Sequence, residues 1–348
     1  MRLETRYLGL TLANPLVASP SPANARLEHL QALADAGVGA VVLPSLFEEQ
    51  LLAQQDRFET ILAQTESNNP EARGYLPAQA VGPYGVGADA YLELIRRAKA
   101  ALGVPVVASL NGSTAGGWTA YAAQIAAAGA DALELNIYHV PVDVDESGAA
   151  VEQRYLDVLA AVRAAVAIPI AVKMPPYFSS IGHMAQRLVA AGAGGLVLFN
   201  RYLQPDIDLA TMQLSSELEL STPAEMRLPL LWTAVLAGRV PCSLAASTGV
   251  EAAEQVIKYL LAGADVVMTT AALLRHGPGH VATLLAGLRE WLDARRVDSL
   301  DRVRGVMSRA RLRRADVYER ANYIHLIEHY AQTHRPSAAD ALPRAHGA

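Results

Sequence analysis

The chain has 348 residues, of which 52% are hydrophobic and 18% charged, and its formal net charge is −5 at pH 7. The high apolar share and the low charge exclude a disordered chain and a coiled coil, and they predict a large buried core. The acidic balance provides no basic surface for nucleic acid. Cys242 is the single cysteine, which excludes a disulfide framework and a cysteine-rich metal site and is typical of a reducing compartment. We expect a cytoplasmic protein without a membrane span, because the charged N-terminal segment does not resemble a signal peptide and no run of 18 apolar residues occurs.

A repeated unit runs through the chain. Four times a proline precedes a short apolar run that predicts a strand, and an Ala-Gly pair follows 22, 24, 23 or 22 residues later, before a second apolar run. The four units begin at Pro15, Pro105, Pro169 and Pro241. Between the two runs lies a helical pattern such as ARLEHLQALADAG, whose final glycine suits a helix C-cap. Each unit is therefore β-α-β, and four units predict eight strands whose uniformly apolar runs are typical of a parallel sheet.

Eight parallel strands alternating with helices predict an α/β fold, a single (β/α)₈ TIM barrel. A doubly wound sheet is the alternative, but the turn after the first strand, Val17–Pro20, lacks the glycines that such a fold places there. Extra chain follows strands 2 and 6, at residues 46–80 and 201–226, and we interpret these insertions as loops over the barrel mouth rather than as surface decoration. We expect the barrel to occupy residues 1–296, and a C-terminal helical extension and tail to occupy residues 297–348.

The residues at the carboxyl ends of the predicted strands are the candidates for function, because barrel enzymes place their chemistry at that face. The first six strands end at Ala18 and Ser19, Ser45, Asn111, Asn136, Lys173, and Asn200. Lys173 is either a solvated charge on the rim or a cation that neutralises an anion in the site. The asparagines are either turn residues or amides that offer donors and acceptors to a ligand.

Strands 7 and 8 end in small polar residues, and each is followed by a helix. These residues are Ser247, Thr248 and Gly249 after strand 7, and Thr269 and Thr270 after strand 8. Backbone amides at such turns bind phosphate, which barrels commonly hold after these two strands. The alternative is that the Ser and Thr side chains act as helix N-caps.

The order of these residues resembles the dihydroorotate dehydrogenase family of flavin mononucleotide (FMN) barrels. The resemblance covers residues 1–290 and rests on NPLVASP at 14–20, ELN at 134–136, AVK at 171–173, VLFN at 197–200, and the small-residue turns after strands 7 and 8. It implies that Lys173 lies by the pyrimidine end of the flavin, where reduction places negative charge. It also implies that Asn111, Asn136 and Asn200 line the flavin or the substrate, and that the turns after strands 7 and 8 bind the FMN phosphate.

The sequence departs from the family pattern where the substrate is expected. The family has Asn-x-Ser-Cys-Pro-Asn, or a serine variant, after strand 4, and its Cys or Ser is the base. Here residues 136–141 read NIYHVP, so His139 falls in the place of the base. Imidazole accepts protons near neutral pH, although His139 is alternatively a loop histidine that makes a hydrogen bond. Pro44 replaces the family's flavin-side lysine, Arg201 replaces Ser or Thr, and the substrate asparagine is replaced near Gly85.

The sequence therefore predicts an FMN-dependent oxidoreductase that acts on CH–CH groups of dihydroorotate or a related small substrate, with His139 and Lys173 as catalytic residues. One alternative is a flavin-free lyase or isomerase that uses the phosphate site and Lys173 as a Schiff base. The other is a flavin-binding paralogue without turnover. We expect a homo-oligomer, a dimer. We expect no metal site, because the HLIEH match to a zinc motif at 325–329 lies outside the barrel.

Overall fold

The polypeptide forms a closed barrel of eight parallel strands. The computed structural model describes residues 1–48, 88–112, 118–202, 205–215, 219–318, 323–324 and 327–330. Adjacent barrel strands pair in parallel, and the eighth closes onto the first. The predicted TIM barrel is confirmed.

The twelve strands described here are a hairpin before the barrel, the eight barrel strands, and a hairpin within the insertion after the sixth barrel strand. In chain order they are β1 (Thr5–Tyr7), β2 (Leu10–Leu12), β3 (Leu16–Ala18), β4 (Ala40–Phe47), β5 (Val106–Gly112), β6 (Ala132–Ile137), β7 (Ile170–Met174), β8 (Gly195–Leu198), β9 (Asp206–Asp208), β10 (Gln213–Ser215), β11 (Ser243–Ala246) and β12 (Val266–Thr269). The barrel consists of β3 to β8 followed by β11 and β12.

Helices alternate with the barrel strands over the described part of the chain. They are α1 (Leu27–Asp35), α2 (Ala88–Ala101), α3 (Trp118–Ala127), α4 (Gly148–Ala165), α5 (Ile181–Ala190), α6 (Arg227–Leu236), α7 (Ala253–Ala262), α8 (Ala271–His276) and α9 (His280–Ala294). The glycines of the four Ala-Gly pairs all have positive φ, between +91° and +117°. A left-handed residue ends a helix at little cost only when it is glycine, which explains why the repeat keeps this residue.

Side chains along each barrel strand alternate between the interior and the surrounding helices. In β6, Ala132 packs in the interior cluster, whereas Leu133 and Leu135 pack in the outer cluster against the helices. Residues two apart on a strand share a face, so Glu134 and Asn136 point inward with Ala132. This alternation decides which strand residues reach the barrel axis.

The β1–β2 hairpin closes the barrel at the amino ends of the strands. Tyr7, Leu8 and Leu12 are buried in the interior cluster with Val17 and Ala171. The Leu8 amide donates to Ser243 Oγ at 3.0 Å, at the start of β11. The hairpin therefore supplies the floor of the barrel and leaves the opposite end open.

The two predicted insertions and the C-terminal extension are described in part. Residues 49–87 lie outside the described residues, and they include most of the insertion after the second barrel strand and the Gly85 segment. Within the predicted insertion at 201–226, β9 and β10 form an antiparallel hairpin. After α9, the amides of Gly305 and Met307 donate to the carbonyls of Leu260 and Leu261, so this segment packs on α7. The division at 296/297 stays a prediction. Among the described helices, none is both long and apolar enough to cross a membrane.

Candidate active site

A cavity of about 660 Å³ opens at the carboxyl ends of the barrel strands. Its wall contains residues that the sequence predicts at the ends of five different strands, namely Ser19, Lys173, Asn200, Ser247, Thr248, Gly249, Thr269 and Thr270. Volumes of about 300–1,000 Å³ are typical of cofactor and small-molecule sites. The fold therefore brings most of the predicted residues to one cavity.

Of the remaining predicted residues, Ala18, Ser45, Asn111 and Asn136 lie in the barrel strands, and His139 follows β6. Asn111, Asn136 and Lys173 stand in register on three adjacent strands. Asn200 Nδ2 donates to Asn136 Oδ1 at 2.7 Å, which ties the ends of β6 and β8 together. The three asparagines and the lysine thus form one polar group, in which each amide retains further donors and acceptors.

Ser45 and Ala18 contribute differently from the asparagines. Ser45 Oγ lies 2.9 Å from Ser109 Oγ, and these two residues stand in register with Glu134 on the next strand. The Ala18 side chain is fully buried in the outer cluster. Ala18 therefore has only its backbone to offer to the site, whereas the following residue, Ser19, lines the cavity.

Lys173 has a buried carboxylate partner that the sequence did not single out. Its Nζ lies 3.4 Å from Glu134 Oε1, and the Glu134 side chain is fully buried. Lys173 lines the cavity, and its side chain is 13% exposed. The available signal was a carboxylate inside the apolar run Leu133-Glu134-Leu135, two residues before Asn136 and therefore on the same face of the strand.

His139 follows β6 and is held by a carboxylate rather than by the cavity wall. Its Nε2 lies 2.8 Å from Glu146 Oε2, and Arg154 donates to the other oxygen of Glu146 at 2.7 Å. Hydrogen bonds from Arg154 first, and from His139 second, hold the pKa of Glu146 below its ordinary value. His139 is absent from the residues that line the cavity, within the described part of the chain, whereas the preceding Tyr138 is among them. Its catalytic role stays a prediction.

Tyr138, which follows strand 4 beside His139, and three tyrosines that the sequence did not indicate, Tyr155, Tyr177 and Tyr202, surround this part of the site. The Tyr138 and Tyr177 rings lie 4.4 and 5.4 Å from the Tyr202 ring. The Tyr202 hydroxyl donates to the His139 carbonyl at 3.1 Å and lies 2.9 Å from the Tyr155 hydroxyl. Burial raises the pKa of Tyr202, so its phenol stays protonated at neutral pH. These contacts fix the backbone path from the end of β6 to His139.

The turn after β11 has a strained backbone and a close neighbour. Thr248 has φ +80° and Gly249 has φ +72°. A β-branched residue in the left-handed region is strained, and such strain is found at ligand sites. A Cβ on Gly249 would lie 2.8 Å from the Thr222 carbonyl oxygen and 3.0 Å from the Met226 amide nitrogen. The insertion that contains these two residues therefore packs directly on the turn.

Two arginines hold the same insertion in place, Arg275 from α8 and Arg201 from within the insertion. Arg275 donates to the carbonyls of Leu220 and Ser221 at 3.2 and 3.0 Å. Arg201 forms a 2.8 Å ion pair with Glu225 and also donates to the Glu219 carbonyl. Ser221, which the sequence did not indicate, accepts a 3.3 Å hydrogen bond from the Gly249 amide and lines the cavity.

The hydroxyl groups at the ends of β11 and β12 hold neighbouring loops instead of capping helices. Ser247 Oγ donates to the Phe199 carbonyl at 2.9 Å, and Thr269 Oγ1 donates to the Val250 carbonyl at 3.1 Å. The helix α7 begins after Ala252, and the Thr270 side chain makes no capping hydrogen bond to α8. The N-cap alternative therefore does not explain these residues.

Metal ligands do not gather in the described residues, where no group of three or more His, Cys, Asp or Glu is placed to hold an ion. His276 Nε2 lies 2.6 Å from Glu251, and His280 Nε2 lies 2.8 Å from the Glu251 carbonyl. His325 of the HLIEH segment lies outside the described residues.

Comparison with known proteins decides between the fold's many chemistries. A sequence profile of the dihydroorotate dehydrogenase family matches residues 77–292, more than half of the chain. The chain belongs to the dihydroorotate dehydrogenase family. It is an oxidoreductase of the flavin-dependent kind that acts on CH–CH groups, and this assignment favours the predicted oxidoreductase over the flavin-free lyase or isomerase.

Individual dihydroorotate dehydrogenases match over most of the barrel at modest identity. The catalytic subunit of dihydroorotate dehydrogenase B (NAD(+)) from Geobacillus sp. is 28% identical over 279 residues, which are 76% of this chain and 83% of that protein. Dihydroorotate dehydrogenase A (fumarate) from Limosilactobacillus reuteri is 27% identical over 277 residues, 78% of this chain and 87% of that protein. The catalytic subunit of dihydroorotate dehydrogenase B (NAD(+)) from Methanocella arvoryzae is 27% identical over 319 residues, 89% and 99% of the two chains.

Proposed function

We propose that the protein is an FMN-dependent oxidoreductase that oxidises a CH–CH bond in dihydroorotate or a related small substrate. The observation that carries the proposal is the convergence of Lys173 and Asn200 with the turn Ser247–Gly249 in one cavity. A flavin with a phosphate tail requires a cation, a side-chain amide and a turn that can bind phosphate, and this cavity contains a residue for each. The family membership supports the same assignment.

The residues present fit FMN. At the phosphate end, the turn Ser247–Gly249 lines the cavity with Thr248 and Gly249 in the left-handed region, and we assign the phosphate to this turn and to Thr269–Thr270. The Gly249 amide, which donates to Ser221 Oγ at 3.3 Å, would donate to the phosphate instead. At the ring end, we assign Lys173 to the pyrimidine edge, and the other predicted residues to the flavin and its immediate surroundings, namely Ala18, Ser19, Ser45, Asn111, Asn136 and Asn200. When bound, FMN supplies the hydride acceptor.

Lys173 and His139 have separate tasks in this proposal. Lys173 supplies a positive charge at the pyrimidine end, where reduction places negative charge. His139 accepts the substrate proton: when Nε2 donates to Glu146, Nδ1 is the nitrogen that takes it. Glu146 and its Arg154 partner orient the imidazole, as a carboxylate does for the base of a hydrolase.

Substituting Gly249 with alanine is expected to weaken FMN binding about tenfold or more. The added methyl would press on the Thr222 carbonyl and the Met226 amide and displace the turn that we assign to the phosphate, and a displacement that costs about 1.4 kcal/mol of binding is tenfold in affinity. The matched control is Gly277→Ala, since Gly277 also has positive φ, +79°, but no atom lies within 4 Å of its Cβ position. FMN dissociation constants measured by fluorescence titration compare the two variants. Equal affinities in both would contradict the phosphate assignment.

Dihydroorotate itself tests the substrate. We expect anaerobic mixing of the FMN-loaded protein with dihydroorotate to bleach the flavin absorbance. Loaded protein that stays oxidised would contradict this substrate and favour the flavin-binding paralogue without turnover. Protein that takes up no FMN would contradict the cofactor.

The partners we propose are a small-molecule substrate and a second copy of the chain. The β9–β10 hairpin beside the cavity exposes four large apolar side chains, Ile207, Leu209, Met212 and Leu214, which are 60–88% exposed. Exposed apolar clusters of this kind are typical of protein interfaces, which supports a dimer. We also propose a cytoplasmic location, consistent with Cys242 being a free cysteine.

A further inference from the structure

Glu134 occupies an unusual place for a carboxylate, in the middle of the barrel interior. It lies on β6 between Ala132 and Asn136, and its side chain is fully buried. Its neighbours in register are Ser109 on one side and Ala171 on the other. Burying an ionised carboxylate is costly unless a cation pairs with it. The identity of that cation therefore decides what Glu134 is for.

The cation is Lys173. Its Nζ lies 3.4 Å from Glu134 Oε1. The second oxygen, Oε2, is buried and has no hydrogen-bond partner within the described part of the chain. Below it, the Tyr7 hydroxyl is also buried without such a partner there. The pKa of Tyr7 is raised by burial first and by the charge of Glu134 second, so the phenol stays protonated.

A second lysine–carboxylate pair at the other end of the same strand shows what a structural pair looks like. Lys99 Nζ lies 2.8 and 2.7 Å from the two oxygens of Asp131, and Asp131 also accepts a hydrogen bond from the Val106 amide. That pair is partly exposed and connects α2 to the sheet. Glu134 accepts no backbone amide among the described residues and connects no helix to the sheet, so it has one partner on which to act.

We propose that Glu134 is a positioning residue for Lys173. Glu134 holds the Lys173 ammonium at the wall of the cavity. The ammonium then faces the ligand, and the carboxylate stays buried. Lys173 reaches the cavity and Glu134 does not, which gives the pair this polarity. The inference rests on the proposed function, since the charge acts on the pyrimidine end of FMN.

The midpoint potential of bound FMN separates positioning from simple electrostatics. Glu134→Gln removes a negative charge from beneath the site, which by itself would raise the potential. Loss of positioning would lower the potential, because a buried ammonium without its carboxylate partner either loses its proton or moves away from the flavin. We expect the midpoint potential to fall in Glu134→Gln, in the same direction as in Lys173→Met. In the double variant the potential is expected to fall no further than in Lys173→Met alone. The matched control Asp131→Asn is expected to leave the potential unchanged.

The opposite results are equally clear. A raised or unchanged potential in Glu134→Gln, or a fall that adds fully to that of Lys173→Met, would overturn the positioning role. If Glu134→Gln does not fold, Glu134→Asp serves instead, because it keeps the charge but shortens the side chain. A smaller fall of the potential is then expected. An unchanged or raised potential in Glu134→Asp overturns the proposal. A wild-type protein that binds no FMN would contradict the proposed function instead. Failure of the proposed function is thus distinguishable from failure of the positioning role of Glu134.

Discussion

Lys173→Met is expected to slow the reduction of bound flavin by dihydroorotate about 10²–10³-fold, the usual loss when one group that stabilises developing charge is removed. Methionine is similar in length but carries no charge, so negative charge at the pyrimidine end is no longer neutralised. Stopped-flow absorbance at saturating dihydroorotate measures the rate directly. Among the residues assigned to the flavin ring, Lys173 carries a positive charge, pairs with a buried carboxylate and lines the cavity.

Lys99→Met is the matched control for this variant. It removes the same charge from a lysine–carboxylate pair at the opposite end of β6, outside the cavity. We expect the reduction rate of Lys99→Met to stay within about twofold of wild type, because changes away from the reacting groups leave transition-state binding intact. An unaltered rate in Lys173→Met would show that Lys173 does not stabilise the reduced flavin.

His139→Ala is expected to lower the same rate about 10²–10⁴-fold, which is the range for removing a general base. The physical reason is that imidazole paired with Glu146 is the proposed acceptor of the substrate proton. Glu146→Gln is expected to lower the rate by a smaller factor, because it leaves the imidazole in place, and losing the orienting carboxylate costs less than losing the base itself.

His183→Ala is the control for His139, since His183 is an exposed histidine on α5, away from the cavity. Both variants are compared with wild type for bound FMN before the rates are measured. A His139→Ala protein that reduces its flavin as fast as His183→Ala would assign His139 the alternative role, a loop histidine whose hydrogen bond to Glu146 is structural.

The barrel could be predicted because its signals are local and repeated. Each Ala-Gly pair marks a helix end where the backbone must become left-handed, and that requirement is written in the residue itself. The hairpin that closes the floor was not predicted, because MRLETRYLGL alternates polar and apolar residues over too few positions. Tyr7 becomes a core residue only through the barrel that surrounds it.

The candidate site could be predicted only where position along a strand decides the function. Lys173, Asn136 and Asn200 lie at strand ends, and a parallel barrel brings such ends together. The Glu134–Lys173 pair depends on register between β6 and β7, which the chain does not reveal locally. Ser221 and Tyr202 reach the site through an insertion and through loop paths that only the folded chain defines.

The FMN content of the purified protein is the simplest test of whether this barrel binds the proposed cofactor. We expect a yellow protein, or a colourless one that takes up FMN, with one flavin per chain after gel filtration and weaker retention in Gly249→Ala than in Gly277→Ala. A protein that retains no flavin after incubation with excess FMN would contradict the proposal that this barrel is an FMN-dependent oxidoreductase.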